Sequence, residues 1–283
     1  LEYINYDYDN LLTNGSACAA NVTGCRFSRP SDQEVDFTVF SPSLSLLYSI
    51  NSQQSVYAKW SQGYRAPQAT ELFRLQNDQK ITDLDEEKMD ALELGWRLYT
   101  DKFNLNASVF MQDKSNFIFQ DANRQNVSNG ETEHSGAEVS ASYNIDENIY
   151  INANVSYAQH KYTNDLRLAR SSIKGNEIDT APEFMGSAQL GWNINPSLLT
   201  ELSLQRMGNY YLNPENDAEY AGHTLLDLNL RYTYSKQLVL SANIYNLLDE
   251  DYAERADSAF GNYRYFVGQP RRIFLTATWQ WAQ

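Results

Sequence analysis

Three histidines and one acidic run are the side chains whose types could support metal chemistry. His134, His160 and His223 are far apart in the chain and none falls in a tight metal-ligand spacing, so we expect structural or solvated histidines. The run 83–87 (DLDEE) lacks the glycine and the ligand spacing of a calcium loop, so we expect a solvated charge run. The sequence therefore predicts no metal site.

The patterns that carry catalysis are also missing from the sequence. It contains no nucleophile elbow, no phosphate-binding loop and no convincing acid–base pair. We therefore expect a protein that is not an enzyme, with no catalytic residues and no cofactor. Cys18 and Cys25 lie in a polar stretch rich in Gly, Asn and Ser; we predict a loop-closing disulfide, with two free thiols as the alternative.

The composition excludes some classes of protein. Among 283 residues, 22 Lys and Arg against 36 Asp and Glu give a formal charge of −14, which argues against a nucleic-acid binder. The mean hydropathy is −0.57. No apolar run approaches the roughly 20 residues that a membrane-spanning helix needs. The 20 tyrosines nevertheless make the chain rich in aromatic side chains.

Apolar and polar residues alternate along much of the chain, which is the signal of a β-strand between two different environments. Leu92, Leu94 and Trp96 share one face, for example, and Glu93 and Arg97 share the other. Such segments predict about twelve strands, at roughly 1–8, 35–49, 54–64, 89–99, 103–113, 134–144, 149–160, 183–194, 198–210, 223–234, 238–248 and 271–281. Most match the about 9–11 residues of a tilted transmembrane strand.

The connections between these strands alternate in length. Short links are predicted at 50–53, 100–102, 145–148, 195–197 and 235–237, and long ones at about 9–34, 65–88, 114–133, 161–182, 211–222 and 249–270. Tight turns at one end and long loops at the other are typical of outer-membrane β-barrels. The aromatic residues near the short turns are typical of an interfacial girdle: Tyr48, Tyr99, Tyr143, Tyr150, Trp192, Tyr234, Trp279 and Trp281.

Three segments, in order, resemble motifs of the TonB-dependent outer-membrane receptors. Residues 62–73 (QGYRAPQATELF) are similar to that family's G-[FY]-R-A-P-x-x-x-E-L-[FY] segment, which leaves a strand into an extracellular loop. Residues 84–87 (LDEE) and 92–95 (LELG) resemble its L-x-P-E…E-L-G pattern, with Glu86 where proline is usual. Residues 246–252 (NLLDEDY) and 268–272 (GQPRR) resemble its N-L-[FL]-D-x-x-Y…G-x-P-R ending.

The resemblance covers essentially the whole chain and implies its fold. Family members have 22 strands around an N-terminal plug, preceded by a TonB box. We therefore expect 1–283 to be an all-β, antiparallel transmembrane β-barrel domain, comprising about 12 C-terminal strands of a 22-stranded barrel. We expect the plug domain and the TonB box to be absent, so that this chain alone could not be energy-coupled. The family usually ends in an aromatic residue, whereas here Trp281 is followed by 282–283.

The resemblance also implies where a ligand binds, since family members bind substrate with their extracellular loops and inner wall. Tyrosine offers a flat face and a hydroxyl for planar or catecholate ligands, and arginine suits carboxylates. The candidate loop residues are Arg65, Arg74, Tyr210, Tyr211, Tyr220, Tyr263, Arg264 and Tyr265.

The hypothesis is a fragment of an outer-membrane receptor of a Gram-negative bacterium for TonB-coupled uptake of a ferric siderophore or another iron complex. The implied partners are outer-membrane lipid and lipopolysaccharide, TonB–ExbB–ExbD through the plug region, the barrel-assembly machinery and a ferric chelate. Two alternatives remain at this point. One is a complete twelve-stranded barrel acting as a passive channel or a barrel enzyme, and the other is a soluble β-sandwich binding module.

Overall fold

The chain folds almost entirely into β-strands. The computed structural model describes residues 1–9, 17–18, 27–28, 32–73, 81–120, 126–165, 172–259 and 261–281. The elements are β1 (Glu2–Tyr8), β2 (Ala17–Cys18), β3 (Phe27–Ser28), β4 (Gln33–Val39), β5 (Ser43–Ser49), β6 (Gln54–Arg65), α1 (Ala69–Leu72), β7 (Glu87–Tyr99), β8 (Phe103–Gln120), β9 (Asn126–Asn144), β10 (Ile149–Tyr162), β11 (Phe184–Asn195), β12 (Leu198–Met207), β13 (Tyr210–Tyr211), β14 (Glu219–Tyr220), β15 (His223–Thr233), β16 (Leu238–Tyr245), β17 (Ala253–Ala259), β18 (Asn262–Val267) and β19 (Arg272–Trp279). No helix in this described part of the chain is long and apolar enough to cross a bilayer.

One sheet of eleven strands dominates the fold. Its order is β5-β6-β7-β8-β9-β10-β11-β12-β15-β16-β19, and every neighbouring pair is antiparallel. Each strand therefore pairs with the next long strand in the chain, as in an up-and-down barrel wall. This confirms the predicted all-β, antiparallel class, with eleven strands in the wall where the sequence predicts about twelve.

The register aligns the apolar rows of successive strands on one face, which we call the outer face. Leu94 lies opposite Ala58 on β6 and Val109 on β8, whereas Glu93 lies opposite Lys59 and Phe110 on the other, inner face. Leu94 and Val109 are 48% and 53% exposed, so the apolar rows do not pack against each other. A soluble sandwich would bury these rows between two sheets, so the exposed outer face argues against that alternative.

The apolar outer rows form a band of limited height. Toward the long loops they end in charged residues, namely Asp90 on β7, Asp113 on β8, Glu133 on β9 and Lys161 on β10. On β8 the band runs from Phe103 to Met111, which is about 27 Å along the strand and just over 20 Å after a tilt of about 40°. That height approaches the apolar band of about 25 Å on transmembrane barrels.

Side chains close the short turns. Asn51 Oδ1 accepts hydrogen bonds from the amides of Gln53 and Gln54, both at 2.9 Å. Asp146 Oδ1 accepts from the amides of Asn148 and Ile149 at 2.7 and 2.9 Å. These Asx-type turns need few residues, which is why one end of the sheet carries only tight connections.

Two predictions from the sequence are corrected. The predicted strand 35–49 is two strands, because the chain breaks its pairing at residues 40–42, and β4 pairs with β1 in a separate two-stranded sheet. Pro42 lies at this break, and proline has no amide hydrogen for a sheet ladder. Tyr150 is not a girdle residue, because its hydroxyl donates to Glu201 on the inner face at 2.6 Å.

The long connections carry structure that the alternation does not predict. β8 and β9 pair on past the charged boundary as far as Gln120 and Asn126, and two small hairpins, β13–β14 and β17–β18, form within long loops. Three clusters of buried apolar side chains lie at this end, centred on Leu72, Leu212 and Ile173. Within the described ranges, the buried apolar clusters are thus at the long-loop end and not between the strands of the wall.

Candidate functional site

Arg65 ends β6 at the long-loop end and holds the following turn against the sheet. Its guanidinium donates to both carboxylate oxygens of Glu87, at 2.7 and 2.9 Å, and to both of Glu71, at 2.9 and 3.2 Å. These bidentate pairs are the strong form of the arginine–carboxylate contact. Arg65, a predicted ligand residue, therefore already has two carboxylate partners within the chain.

Glu87 is the buried centre of this ion cluster. Its side chain is 5% exposed and also accepts from Lys114 Nζ and from the Ile118 amide, both at 2.9 Å. Burial alone would raise the pKa of Glu87, but the hydrogen bonds from Arg65, the Ile118 amide and Lys114 outweigh it and hold the pKa at about 2. The prediction of a solvated charge run at 83–87 therefore holds for Asp83 and Asp85, which are exposed. It is wrong for Glu87, which is buried.

The rest of the first motif builds a small buried turn. Glu71 closes a capping box with Gln68 at the start of α1, and Glu71 Oε2 accepts from the Gln68 amide at 2.7 Å. Pro67 and Leu72 are fully buried, and Leu72 packs with Phe37 and Ile118. The sequence motif therefore corresponds to a scaffold that fixes how the loop leaves β6.

The third motif closes the base of the last long loop. Asn246 has a φ of +50° and is 4% exposed. Its side-chain amide donates to the carbonyls of Glu250 and Gln269, at 2.9 and 3.2 Å, and its Oδ1 accepts from the Glu250 amide at 2.8 Å. Asp249 accepts from the amide of Arg271 at 2.9 Å, so the two halves of the motif tie the loop ends together.

Tyr210 and Tyr220 lie beneath the β17–β18 hairpin. Tyr210 is 4% exposed, and its hydroxyl accepts from the Ala256 amide at 2.8 Å. The Tyr220 hydroxyl accepts from the Ala253 amide at 3.0 Å and lies 2.9 Å from His223 Nδ1. These two predicted ligand residues anchor the hairpin to the neighbouring loop, so their polar ends are occupied by protein.

The β17–β18 hairpin presents the other predicted residues to solvent. Tyr263 and Tyr265 are 52% and 54% exposed. Arg264 Nε donates to Asp257 Oδ1 at 2.6 Å, and Arg255 forms a second ion pair with the same buried carboxylate. Two guanidinium groups against one carboxylate leave a net positive charge beside the half-exposed ring of Phe266, which both arginines contact.

The structure thus separates the predicted ligand residues into two groups. Tyr210, Tyr220 and the hairpin residues 263–265 come together, and Tyr211 lies beside them on β13. Arg65 belongs to the ion cluster on β6, β7 and β8. Arg74 and the predicted Cys18–Cys25 disulfide lie outside the described residues, apart from the backbone of Cys18.

His134 and His160, distant in sequence, meet on the inner face. They are directly opposite each other on β9 and β10, and their Nδ1 atoms are 2.8 Å apart. Burial first, then the neighbouring His160 and Lys114, lower the pKa of His134 to about 4. The strand register, which brings together side chains 26 positions apart, could not be predicted from spacing alone.

Two tyrosines lie flat on the inner wall over glycines. Tyr57 lies opposite Gly95 and its hydroxyl donates to Glu93; Tyr150 lies opposite Gly191 and donates to Glu201. A methyl group on Gly95 would lie 2.2 Å from the Tyr57 ring. The E-L-G part of the second motif therefore provides an acceptor and a space for a tyrosine ring, which is aromatic cover of a strand glycine. The sequence signal that could have indicated this contact is a tyrosine on one predicted strand and a glycine on the strand that faces it.

Polar side chains line a concave basin on the inner face. It has a volume of about 870 Å³. Its lining includes Asn152, Asn154, Ser187, Gln189, Ser203 and Gln205.

A curved sheet that is apolar outside, polar inside and carries its long loops at one end defines part of a transmembrane β-barrel wall. The family model for the TonB dependent receptor-like beta-barrel matches residues 1–247. The chain belongs to this family. Members related to it by sequence are β-barrel proteins of the Gram-negative outer membrane.

Named relatives and solved structures agree with this assignment. The chain is 23% identical over 243 residues to the catecholate siderophore receptor Fiu of Escherichia coli, covering 82% of the chain and 31% of that protein. It is 22% identical over 267 residues to the metal-pseudopaline receptor CntO of Pseudomonas aeruginosa, covering 92% and 36%. The crystal structure of the siderophore receptor PiuA from Acinetobacter baumannii matches in fold with a TM-score of 0.74, at 19% identity, covering 88% and 37%. The chain spans about a third of the length of these relatives.

Proposed function

We propose that the chain is the C-terminal, ligand-binding part of the barrel wall of an outer-membrane receptor. The receptor takes up a metal chelate, and the chelate we propose first is a ferric siderophore. The observation that carries the proposal is the division of the sheet into an apolar outer face, a polar inner face and one packed rim. Family membership and relatives named as siderophore or metal receptors support it. The function is transport rather than catalysis.

The partners follow from the same architecture. The outer rows would contact lipid and, on the long-loop side, lipopolysaccharide. The barrel-assembly machinery would insert the wall, and TonB–ExbB–ExbD would act on the plug of the assembled receptor. Loss of ferric-chelate uptake on deletion of TonB would support this coupling; uptake that persists without TonB would favour the passive channel instead.

The ligand surface we propose is the strand β18 of the β17–β18 hairpin, which is exposed along its whole length. Tyr263 and Tyr265 provide two solvent-facing aromatic rings, and Arg264 lies between them in sequence. The trio of Arg255, Arg264 and Asp257 keeps one net positive charge. Ring stacking and a positive charge suit an anionic aromatic chelate such as a ferric catecholate.

The other predicted residues take different parts in this proposal. Tyr210 and Tyr220 position the hairpin, because their hydroxyls hold Ala256 and Ala253. Arg65 fixes the neighbouring loop through Glu71 and Glu87. Ligand contact by Arg74 and Tyr211 remains a prediction.

A binding assay on the intact receptor in detergent tests the ligand surface. We expect the double variant Tyr263→Ala/Tyr265→Ala to bind a ferric catecholate at least about tenfold more weakly, since each lost stacking contact is worth about 1 kcal/mol. Tyr234→Ala is the matched control, because Tyr234 is 68% exposed but lies beside a short turn at the other end. Equal affinities of both variants would refute this ligand surface.

A further inference from the structure

His134 and His160 form a pair of facing imidazoles that the proposed uptake does not require. The rings are 5.0 Å apart between centroids and inclined at 58°, so the close contact is between nitrogen atoms and not between stacked faces. They lie one residue from Glu133 and Lys161, where the outer apolar band has ended. The pair is therefore on the inner wall near the rim.

The two histidines line an open polar cavity. Its volume is about 240 Å³, and Glu93, Gln112 and Glu138 share the lining. Both histidines are half-buried, so a small ion in the cavity could reach them from the lumen. Imidazole nitrogen with carboxylate oxygen nearby is a donor set suited to first-row transition metals.

The two rings are joined by a hydrogen bond in this structure. Their Nδ1 atoms are 2.8 Å apart, and the 5.0 Å between ring centroids means that each Nδ1 points at the other. Two imidazoles bound to one metal ion at about 2.05 Å have their nitrogens about 2.9–3.4 Å apart, so binding requires each ring to turn about its Cβ–Cγ bond with little change in separation. We propose that His134 and His160 form a two-imidazole site for a divalent ion that imidazole binds well, of the Cu²⁺ or Ni²⁺ class.

The proton count is consistent with such a site. In the 2.8 Å contact one Nδ1 carries the hydrogen and the other accepts it. On metal binding that hydrogen moves to Nε2 of the same ring, so both Nδ1 lone pairs face the ion and no net proton is lost. His134 Nε2 lies 3.0 Å from the hydroxyl of Thr132, which is 5% exposed and would accept this hydrogen. Such an outer partner orients a ligating imidazole.

The site would leave several coordination positions open. No group of three or more His, Cys, Asp or Glu side chains able to hold a metal occurs within the described ranges. Water or the donor atoms of a chelate would therefore complete the coordination of an ion held by the two imidazoles. The proposal does not depend on the hairpin ligand surface or on uptake, so either can fail without the other.

Copper binding by the detergent-solubilised protein tests the site. The protein is prepared without a polyhistidine tag, stripped with a chelator and titrated with Cu²⁺. We expect His134→Gln and His160→Gln each to weaken the tightest site at least about tenfold. His223→Gln is the matched control and should stay within about twofold, because His223 lies against Tyr220 and Tyr252 and not against a second imidazole. Circular dichroism checks that the variants keep the β-structure.

A measurement on the unaltered protein keeps the proposal falsifiable if a variant does not fold. Pulsed electron paramagnetic resonance counts the imidazoles bound to Cu²⁺ at one equivalent. Two coordinated imidazoles with an axial spectrum support the site. One or none, or binding unchanged in both histidine variants, would mean that the pair is only a hydrogen bond between strands.

Discussion

The burial of Glu87 leads to a prediction that can be worked out in magnitude. The carboxylate is held by Arg65, Lys114 and the Ile118 amide, and its pKa falls from 4.5 to about 2. That difference corresponds to about 3 kcal/mol favouring the charged, folded cluster at neutral pH. Glu87→Gln removes the charge and leaves Arg65 and Lys114 with one carboxylate fewer, so the cluster should open more often.

Hydrogen exchange at the Ile118 amide is a local assay, because this amide donates to Glu87. At pH 7 we expect about 100-fold less protection in Glu87→Gln than in the unaltered protein, since about 1.4 kcal/mol is a factor of ten. Glu131→Gln, the same substitution at an exposed glutamate of the long-loop end, should change protection by less than about twofold.

The pH dependence has a definite sign. A carboxyl group whose pKa is lowered by folding stabilises the fold above its unfolded pKa, and this contribution disappears as the pH falls through the folded pKa. The difference between the two proteins should therefore shrink between about pH 4.5 and pH 2. It should be below about tenfold at pH 2.5. Equal protection at pH 7, or a difference that does not shrink in acid, would refute the reasoning.

One glycine, Gly95, and one asparagine, Asn246, give two further predictions. Gly95→Ala should lower the free energy of unfolding by about 1–3 kcal/mol, because the new methyl group would lie 2.2 Å from the Tyr57 ring. Gly63→Ala, with nothing within 4 Å, should cost less than about 0.5 kcal/mol in denaturant titrations, and equal costs would contradict the ring-over-glycine explanation. Asn246→Ala should lose three hydrogen bonds and a favourable residue at φ +50°, and should speed proteolysis within 249–270 at least about tenfold. Asn104→Ala, at an exposed position on β8, should leave that rate unchanged, and comparable rates for both variants would show that Asn246 does not close the loop.

The residues of the three family motifs have structural roles in this chain. Arg65 and Glu71 fix a turn, Glu93 and Gly95 receive Tyr57, and Asn246 closes a loop. The resemblance therefore identifies the scaffold, but it does not locate the ligand. Side chains that contact a ligand are expected in the loop surfaces between these motifs, as on the β17–β18 hairpin.

The amino-acid sequence by itself determined the period of the strands, the face on which each apolar side chain lies and the end at which the long loops gather. Side chains alternate strictly along a strand and turns carry local signals, so both features are written within a few consecutive residues. Tyr150 shows which of these signals is the stronger. Its position beside a short turn predicts a girdle residue, but its place in the alternation along β10 puts it on the inner wall.

Only the tertiary structure decided which side chains meet across strands. His134 and His160, Tyr57 and Gly95, and Arg65 and Glu87 come together through register, which depends on hydrogen bonds between segments distant in the chain. A shift of one residue in any strand would send these partners to opposite faces, and no local pattern specifies that shift. Burial of Glu87 and anchoring by Tyr210 and Tyr220 likewise arise where separate loops pack, so spacing along the chain could not reveal them.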